Sequence, residues 1–222
     1  MKISGSTSSI EKVIINAALN HINIGFMSCI GDIRSTTKTL IAKALVSSKE
    51  YNSIIAGELQ GHFGLAAPAL IMQQMVKTLS EDVEIVAKPF RYLGSNRISG
   101  GLNINIIKKD MTEILSLPGA EYISYTKKNG AQLVPWLRWL LFSTDNMPLV
   151  ENSDITFNLT ARQKTYSRSK KALMLEKPGL NYTLPPEYGG GRDGNWVVRA
   201  MEDGVAFPLL IYIEEIFLQR IP

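Results

Sequence analysis

The apolar residues of this chain change their period once, near Val83, and that change limits the folds open to it. Before it they recur every three or four positions, as on one face of a helix; after it they alternate, as on one face of a strand. Ile10, Val13, Ile14, Ala17 and Ala18 share a helical face, and Ser8 with Glu11 has the spacing of a capping box at its start. Gly25 and Gly31 punctuate the next stretch, so a separate second helix is expected near 36–47, with Leu40, Ile41, Ala44 and Leu45 on one side. A short third helix is expected over 49–59. Pro68 is placed to open a fourth in its first turn, where the missing N–H costs no hydrogen bond. Leu70, Ile71, Met75, Val76 and Leu79 would form its buried stripe.

Beyond Val83, Leu102, Ile104 and Ile106 alternate with Asn103, Asn105 and Ile107, the pattern of a half-buried strand. Residues 84–92 supply a partner strand, and 94–101, with three glycines, reads as a mobile hairpin tip. Strands are expected at 121–127, 154–159 and 172–175. Residues 134–142 read as a short helix after Pro135, with Trp136, Trp139 and Phe142 on one side as core. Residues 161–171 form a polar, basic arm and 177–194 a Gly- and Pro-rich irregular loop. Asn195 is placed to cap a last helix from Trp196, which Gly204 and Pro208 should break or kink. Helices first, strands next and a helix last give an α+β fold: N-terminal helices packed on an antiparallel sheet, with a closing C-terminal helix. A length of 222 residues suits a single domain over 1–222, with a helical subregion 1–83 and a mixed β/α subregion 84–222.

Composition narrows the chemistry. Cys29 is the sole cysteine, so neither an intrachain disulfide nor a cysteine-rich zinc site can form. The net charge of +4 is a mild excess that does not by itself mark a nucleic-acid binder. The Ser-rich start lacks the pattern of a signal peptide. The longest contiguous apolar run, 205–213, holds Pro208 and falls short of the roughly 20 residues of a membrane span. An unexported chain without membrane contact is therefore expected. His21 falls near the buried face of the first helix and His62 in a Gly-rich turn, and nothing in the local sequence pairs either with Cys29. Adjacent acids (Glu81 with Asp82, Glu202 with Asp203, Glu214 with Glu215) diverge by about 100° on a helix and do not make a dyad. No catalytic, cofactor-binding or metal-binding residue is expected. Gly189, Gly191 and Gly194 match G-x-G-x-x-G literally, but two prolines precede them where a buried strand is needed and no βαβ unit surrounds them. They read as a loop that orders against a neighbour. Arg162, Lys164, Arg168, Lys170 and Lys171, with Tyr166 among them, lie in a stretch free of acids. Such a stretch suits phosphate contact with a tyrosine stacked on a base, or an arm laid on an acidic patch of a neighbouring subunit. A nucleic-acid-binding module using 162–171 is thus an alternative function.

Four segments resemble patterns in a group of virion proteins from tailed bacteriophages. They are Leu133-Val134-Pro135-Trp136-Leu137-Arg138-Trp139-Leu140-Leu141; Ser167-Arg168-Ser169 followed by Ala172-Leu173-Met174; Leu184-Pro185-Pro186-Glu187-Tyr188-Gly189-Gly190 followed by Asn195-Trp196-Val197-Val198-Arg199-Ala200; and Gly57-Glu58-Leu59-Gln60-Gly61-His62-Phe63-Gly64-Leu65. His62 stands where the group has an acid, and Gly190-Gly191 replaces an Ala-Gly-Thr turn. The resemblance implies a structural subunit of the virion, assembled in the host cytoplasm, in a neck or tail ring of six or twelve copies. Head–tail connector, tail terminator and tail-completion roles all fit it. It implies contacts with other copies, with neighbouring neck or tail proteins and, transiently, with genomic DNA. Pro185, Pro186, Glu187, Tyr188, Asn195 and Trp196 would then belong to an interface loop.

Overall fold

The computed structural model describes residues 7–63, 65, 67–95, 97–106, 111–126, 130–142, 154–156, 165–166, 173–175, 188 and 194–220. The fold is α+β, dominated by helices, and every strand pairing is antiparallel.

A single helix, α1 (Thr7–Ser47), replaces the two expected from the sequence. At 1.5 Å per residue it is about 60 Å long. Interior glycines such as Gly25 and Gly31 cost roughly 1 kcal/mol each relative to alanine. Burial of Phe26, Cys29 and Ile33 around them offsets that cost, at roughly 1.5–3 kcal/mol for a large side chain. Ser8, expected ahead of the first helix, lies inside it. The helix buries Leu19, Phe26, Cys29, Ile33, Thr37, Ile41 and Leu45, a stripe at helical period along its inner side.

Ser48 ends α1 and starts α2 (Lys49–Ala56): its hydroxyl donates to Leu45 O and accepts from Tyr51 N. Gly57 then separates α2 from α3 (Glu58–His62). A Cβ at Gly57 would sit 2.7 Å from Ser53 Cα, so only glycine fits this join. Pro68 opens α4 (Pro68–Glu81) as expected. Its buried stripe is Pro68, Met72, Met75, Val76, Leu79 and Ser80; Leu70 is 64% exposed, because the stripe runs one position away from it.

Strand β1 (Glu84–Gly94) pairs with β2 (Arg97–Asn105), and the ribbon packs against α1 through β1. The expected hairpin tip is mostly strand: Gly94 pairs with Arg97, and Gly94 and Ser95 turn the chain at φ 85° and 49°. A second hairpin joins β3 (Tyr122–Thr126) to β4 (Gly130–Val134), after a helical turn α5 (Thr112–Leu115). Helix α6 (Trp136–Phe142) comes directly after it. Among the described residues, β5 (Asp154–Thr156), β6 (Thr165–Tyr166) and β7 (Leu173–Leu175) form a third sheet in the order β5-β7-β6. Among the described residues the one sheet expected from the sequence is three small ones: β1 pairs with β2, β3 with β4, and β7 with both β5 and β6.

Two helices close the chain. Asn195 caps α7 (Trp196–Gly204) as expected, its Oδ1 accepting from the N–H groups of Val197 and Val198. Gly204 sits against Ala44 of α1, where a Cβ would come within 2.6 Å of the alanine methyl. Helix α8 (Ala206–Arg220) then runs back along α1. Pro208 lies in its first turn and breaks no hydrogen bond there. Phe217 of α8 and Phe90 of β1 both meet Phe26, at ring-centroid distances of 5.5 and 5.1 Å. Arg220 pairs with Asp32 at 3.0 Å. One hydrophobic cluster joins buried residues from α1 to α8, including Cys29, Met75, Ile114, Trp136, Trp196 and Ile216.

Candidate functional site

The outer face of α1 is apolar and uncovered among the described residues. Ile10, Val13, Ala17, Asn20, Ile24, Met27 and Gly31 are all exposed, and their spacing alternates between three and four. Val13 is 68% exposed and Ile24 73%. Ile24 and Phe26 are two positions apart, roughly 160° around the helix, so the seam faces away from the stripe that meets the body. Between Lys12 and Asp32 the helix has no Asp, Glu, Lys or Arg. Ile10, Val13, Ile14, Ala17 and Ala18, which the sequence places on one helical face, are all exposed. So is His21, expected near the buried face.

By length and composition alone, α1 is a helix that can cross a membrane, and 17% of its most apolar window is buried. Contiguous apolar runs do not reveal it. Asn, Gly, Ser and His interrupt the runs without adding charge.

Beside this face lies a groove of about 320 Å³ between α1 and β1, lined by Asn16, Asn20, Asn23, Phe90, Arg91 and Tyr92 among others. The three asparagines stand at i, i+4 and i+7, so their amides line one side of the helix. Asn23 Nδ2 donates to Phe90 O at 2.9 Å, and its Oδ1 accepts from Phe90 N–H at 2.7 Å. The groove offers amides, a phenol and a guanidinium for hydrogen bonding. Helix α8 carries a second set of exposed apolar side chains: Phe207, Leu210, Ile211 and Leu218.

Of the residues singled out from the sequence, Arg162, Lys164, Arg168, Lys170, Lys171, Pro185, Pro186 and Glu187 lie outside the described residues, as do Gly189 and Gly191. Tyr166 lies in β6. Tyr188 is half-buried, with Lys49 Nζ 5.8 Å from its ring centre. Asn195 and Trp196 are buried in the body. Cys29 is buried too, its thiol donating to Gly25 O at 3.2 Å. His21 is about 12 Å from it along the helix axis, too far to share a proton. Among the described residues, no three His, Cys, Asp or Glu side chains are grouped to hold a metal ion.

The described motif residues cap, pack and pair. Trp136 Nε1 donates to Gly119 O at 2.7 Å, and its ring lies 5.8 Å from that of Phe63. Leu59, Phe63 and Leu65 are core. Arg199 Nη2 meets Glu50 Oε1 at 2.7 Å, and Nη1 donates to Gly194 O at 2.6 Å, tying α7 to α2. Glu50 is buried, and its partner lies 149 residues away, so no local pattern announces the pair. Comparison with protein-family models, with curated proteins and with solved structures finds no match.

Proposed function

We propose that this chain is a structural subunit of a tailed-phage virion, forming an oligomeric ring of the neck or tail and carrying out no catalysis. The observation that carries the assembly reading is the outer face of α1. A charge-free apolar face running from Ile10 to Gly31 gains free energy when covered, and such patches mark interaction surfaces. The phage assignment rests on the four motif segments. In this reading the N-terminal helices packed against antiparallel ribbons form a rigid body that α8 closes, and neighbouring copies cover what α1 and α8 leave exposed. The role within the virion is that of a connector, tail terminator or tail-completion protein.

The test is location. Mass spectrometry of purified virions, with gold-labelled antibody against the chain, should find it at the neck or tail in a fixed copy number. Presence in infected cells but absence from virions overturns the reading. A monomer that binds DNA with steep salt dependence would favour a nucleic-acid-binding module instead.

A further inference from the structure

We infer that the exposed seam of α1 pairs with the same seam of a second copy of this chain, parallel and in register, with Asn20 facing its counterpart. The inference rests on the proposed assembly role and names one self-pairing surface; a seam that meets its own copy closes on two chains, so a ring is completed through a different surface.

Spacing is the first argument. Ile10, Val13, Ala17, Asn20, Ile24, Met27 and Gly31 keep the alternation of three and four that holds one line of residues facing a second, supercoiled helix. Three heptads of it lie exposed on one chain. A lipid-facing surface has no need of that spacing.

Charge is the second. The flanking positions are Asn16, Asn23 and Ile30 on one side and Ile14, His21 and Ser28 on the other, none of them acidic or a permanent cation. No charge on α1 along the seam repels an identical copy, and the one cation lining the groove at its edge is Arg91 of β1.

Asn20 is the third. It is the one polar side chain in the seam. Its amide both donates and accepts, so two Asn20 side chains satisfy one another when the helices run parallel and in register. A slipped register sets the amide against Val13, Ile24 or Met27, where it finds no partner. A single asparagine in such a seam specifies register for this reason.

Access completes the case. Most of the described body packs on the opposite side of α1; β1 lies along one edge of the seam, at Asn16, Asn20 and Asn23, and the other edge, Ile14, His21 and Ser28, is exposed, so a second copy can approach from there. A membrane does not fit in the same way. From Leu19 onward α1 is held to the body, and Asn23 fastens β1, with Lys88 and Arg91, beside it. Among the described residues only Thr7–Ala18 stands clear, about 18 Å of helix against a hydrocarbon core of about 30 Å.

Cys29 is buried, so a cysteine introduced on the seam is the accessible thiol among the described residues. With copper-phenanthroline as oxidant, the full-length Ala17→Cys chain should form a covalent dimer, and the Lys43→Cys chain, altered on an exposed position off the seam, should not. In light scattering, Ile24→Asp should lower the wild-type mass to that of one chain, 24.6 kDa, with the helical circular dichroism unchanged. A wild-type chain that stays monomeric, an Ile24→Asp variant of unchanged mass, or equal crosslinking of both cysteine variants overturns the inference. Flotation with phosphatidylglycerol vesicles that Ile24→Asp abolishes, without a change of mass in solution, overturns it in favour of lipid. If the seam fails but virions carry the chain in a ring, the assembly reading stands and only this partner surface is lost.

Discussion

Asn23 supplies Phe90 with the two hydrogen bonds that β2 does not. The register of the ribbon shifts between Lys88 and Arg91, so Pro89 and Phe90 together oppose Gly100. At this bulge the N–H and C=O of Phe90 meet the side-chain amide of Asn23, which stands in for the backbone of a neighbouring strand. Asn23→Leu leaves both groups without a partner in a half-buried site. The expected loss is about 1–3 kcal/mol, the cost of an unsatisfied buried polar group. Asn23→Asp should lose a similar amount, because a carboxylate still accepts from the N–H but faces the carbonyl oxygen with no hydrogen to give. Urea denaturation measures the loss, and faster amide exchange at Phe90 locates it. Unchanged exchange at Phe90 would refute the clamp.

The same bulge makes Gly100 and Gly101 unequal. Both hold positive φ, 155° and 140°, which side chains rarely adopt. At Gly100 a Cβ would also lie 2.6 Å from Phe90 Cα, whereas at Gly101 it meets nothing within 4 Å. Gly101→Ala should cost about 1–2 kcal/mol from backbone strain alone. Gly100→Ala should cost more and should disturb the Asn23 contact, since Phe90 must move. Thermal unfolding of the two variants side by side gives the ordering, and equal melting temperatures would contradict it.

Glu50 and Arg199 hold α2 to α7, and their exposures differ. The glutamate side chain is 5% exposed and the arginine 34%. Removing the arginine strands a buried carboxylate, so Arg199→Ala should destabilise by roughly 3 kcal/mol, the low end for a broken buried pair because Arg199 is partly solvated. Glu50→Gln keeps the shape and an acceptor oxygen for Arg199 but removes the charge, and should cost less. Changing both partners, Glu50→Met with Arg199→Met, should recover part of the arginine loss. A double variant as unstable as the sum of its singles would show that the two side chains do not act as a pair.

The sequence announces those elements whose signals are local. Pro68 and Asn195 mark helix starts by what each does to its own backbone, and both stand where expected. Leu102 and Ile104 alternate in a strand that half-buries them. The length of α1 is not local. Gly25 and Gly31 argue for a break, and only the packing of Phe26, Cys29 and Ile33 against distant segments overrules them. The seam was half legible. Ile10, Val13 and Ala17 show the right period, but an apolar face looks the same in sequence whether it meets its own body or lies open. The α1–β1 clamp was not legible, because its partners stand 67 residues apart and one of them is backbone.

Two tryptophans from the recognisable motifs are equally buried, at 0% exposure, yet differ in what their indole N–H meets. Trp136 Nε1 donates to Gly119 O, in a turn where Gly119 holds φ 89° and packs under Ile71. Trp196 Nε1 is buried with no acceptor among the described residues. Replacement by phenylalanine removes ring volume from the core in both cases. At Trp136 it also removes the hydrogen bond to the Gly119 carbonyl. At Trp196 it removes a donor that had already lost its water, which returns part of the packing cost. Trp136→Phe should therefore destabilise by about 1 kcal/mol more than Trp196→Phe, the difference made by one part-buried hydrogen bond lost against one unsatisfied donor removed. Denaturant midpoints of the two variants test the ordering. The reverse order would mean that Trp196 has an acceptor in the folded protein and that its motif is held by a hydrogen bond as well as by packing.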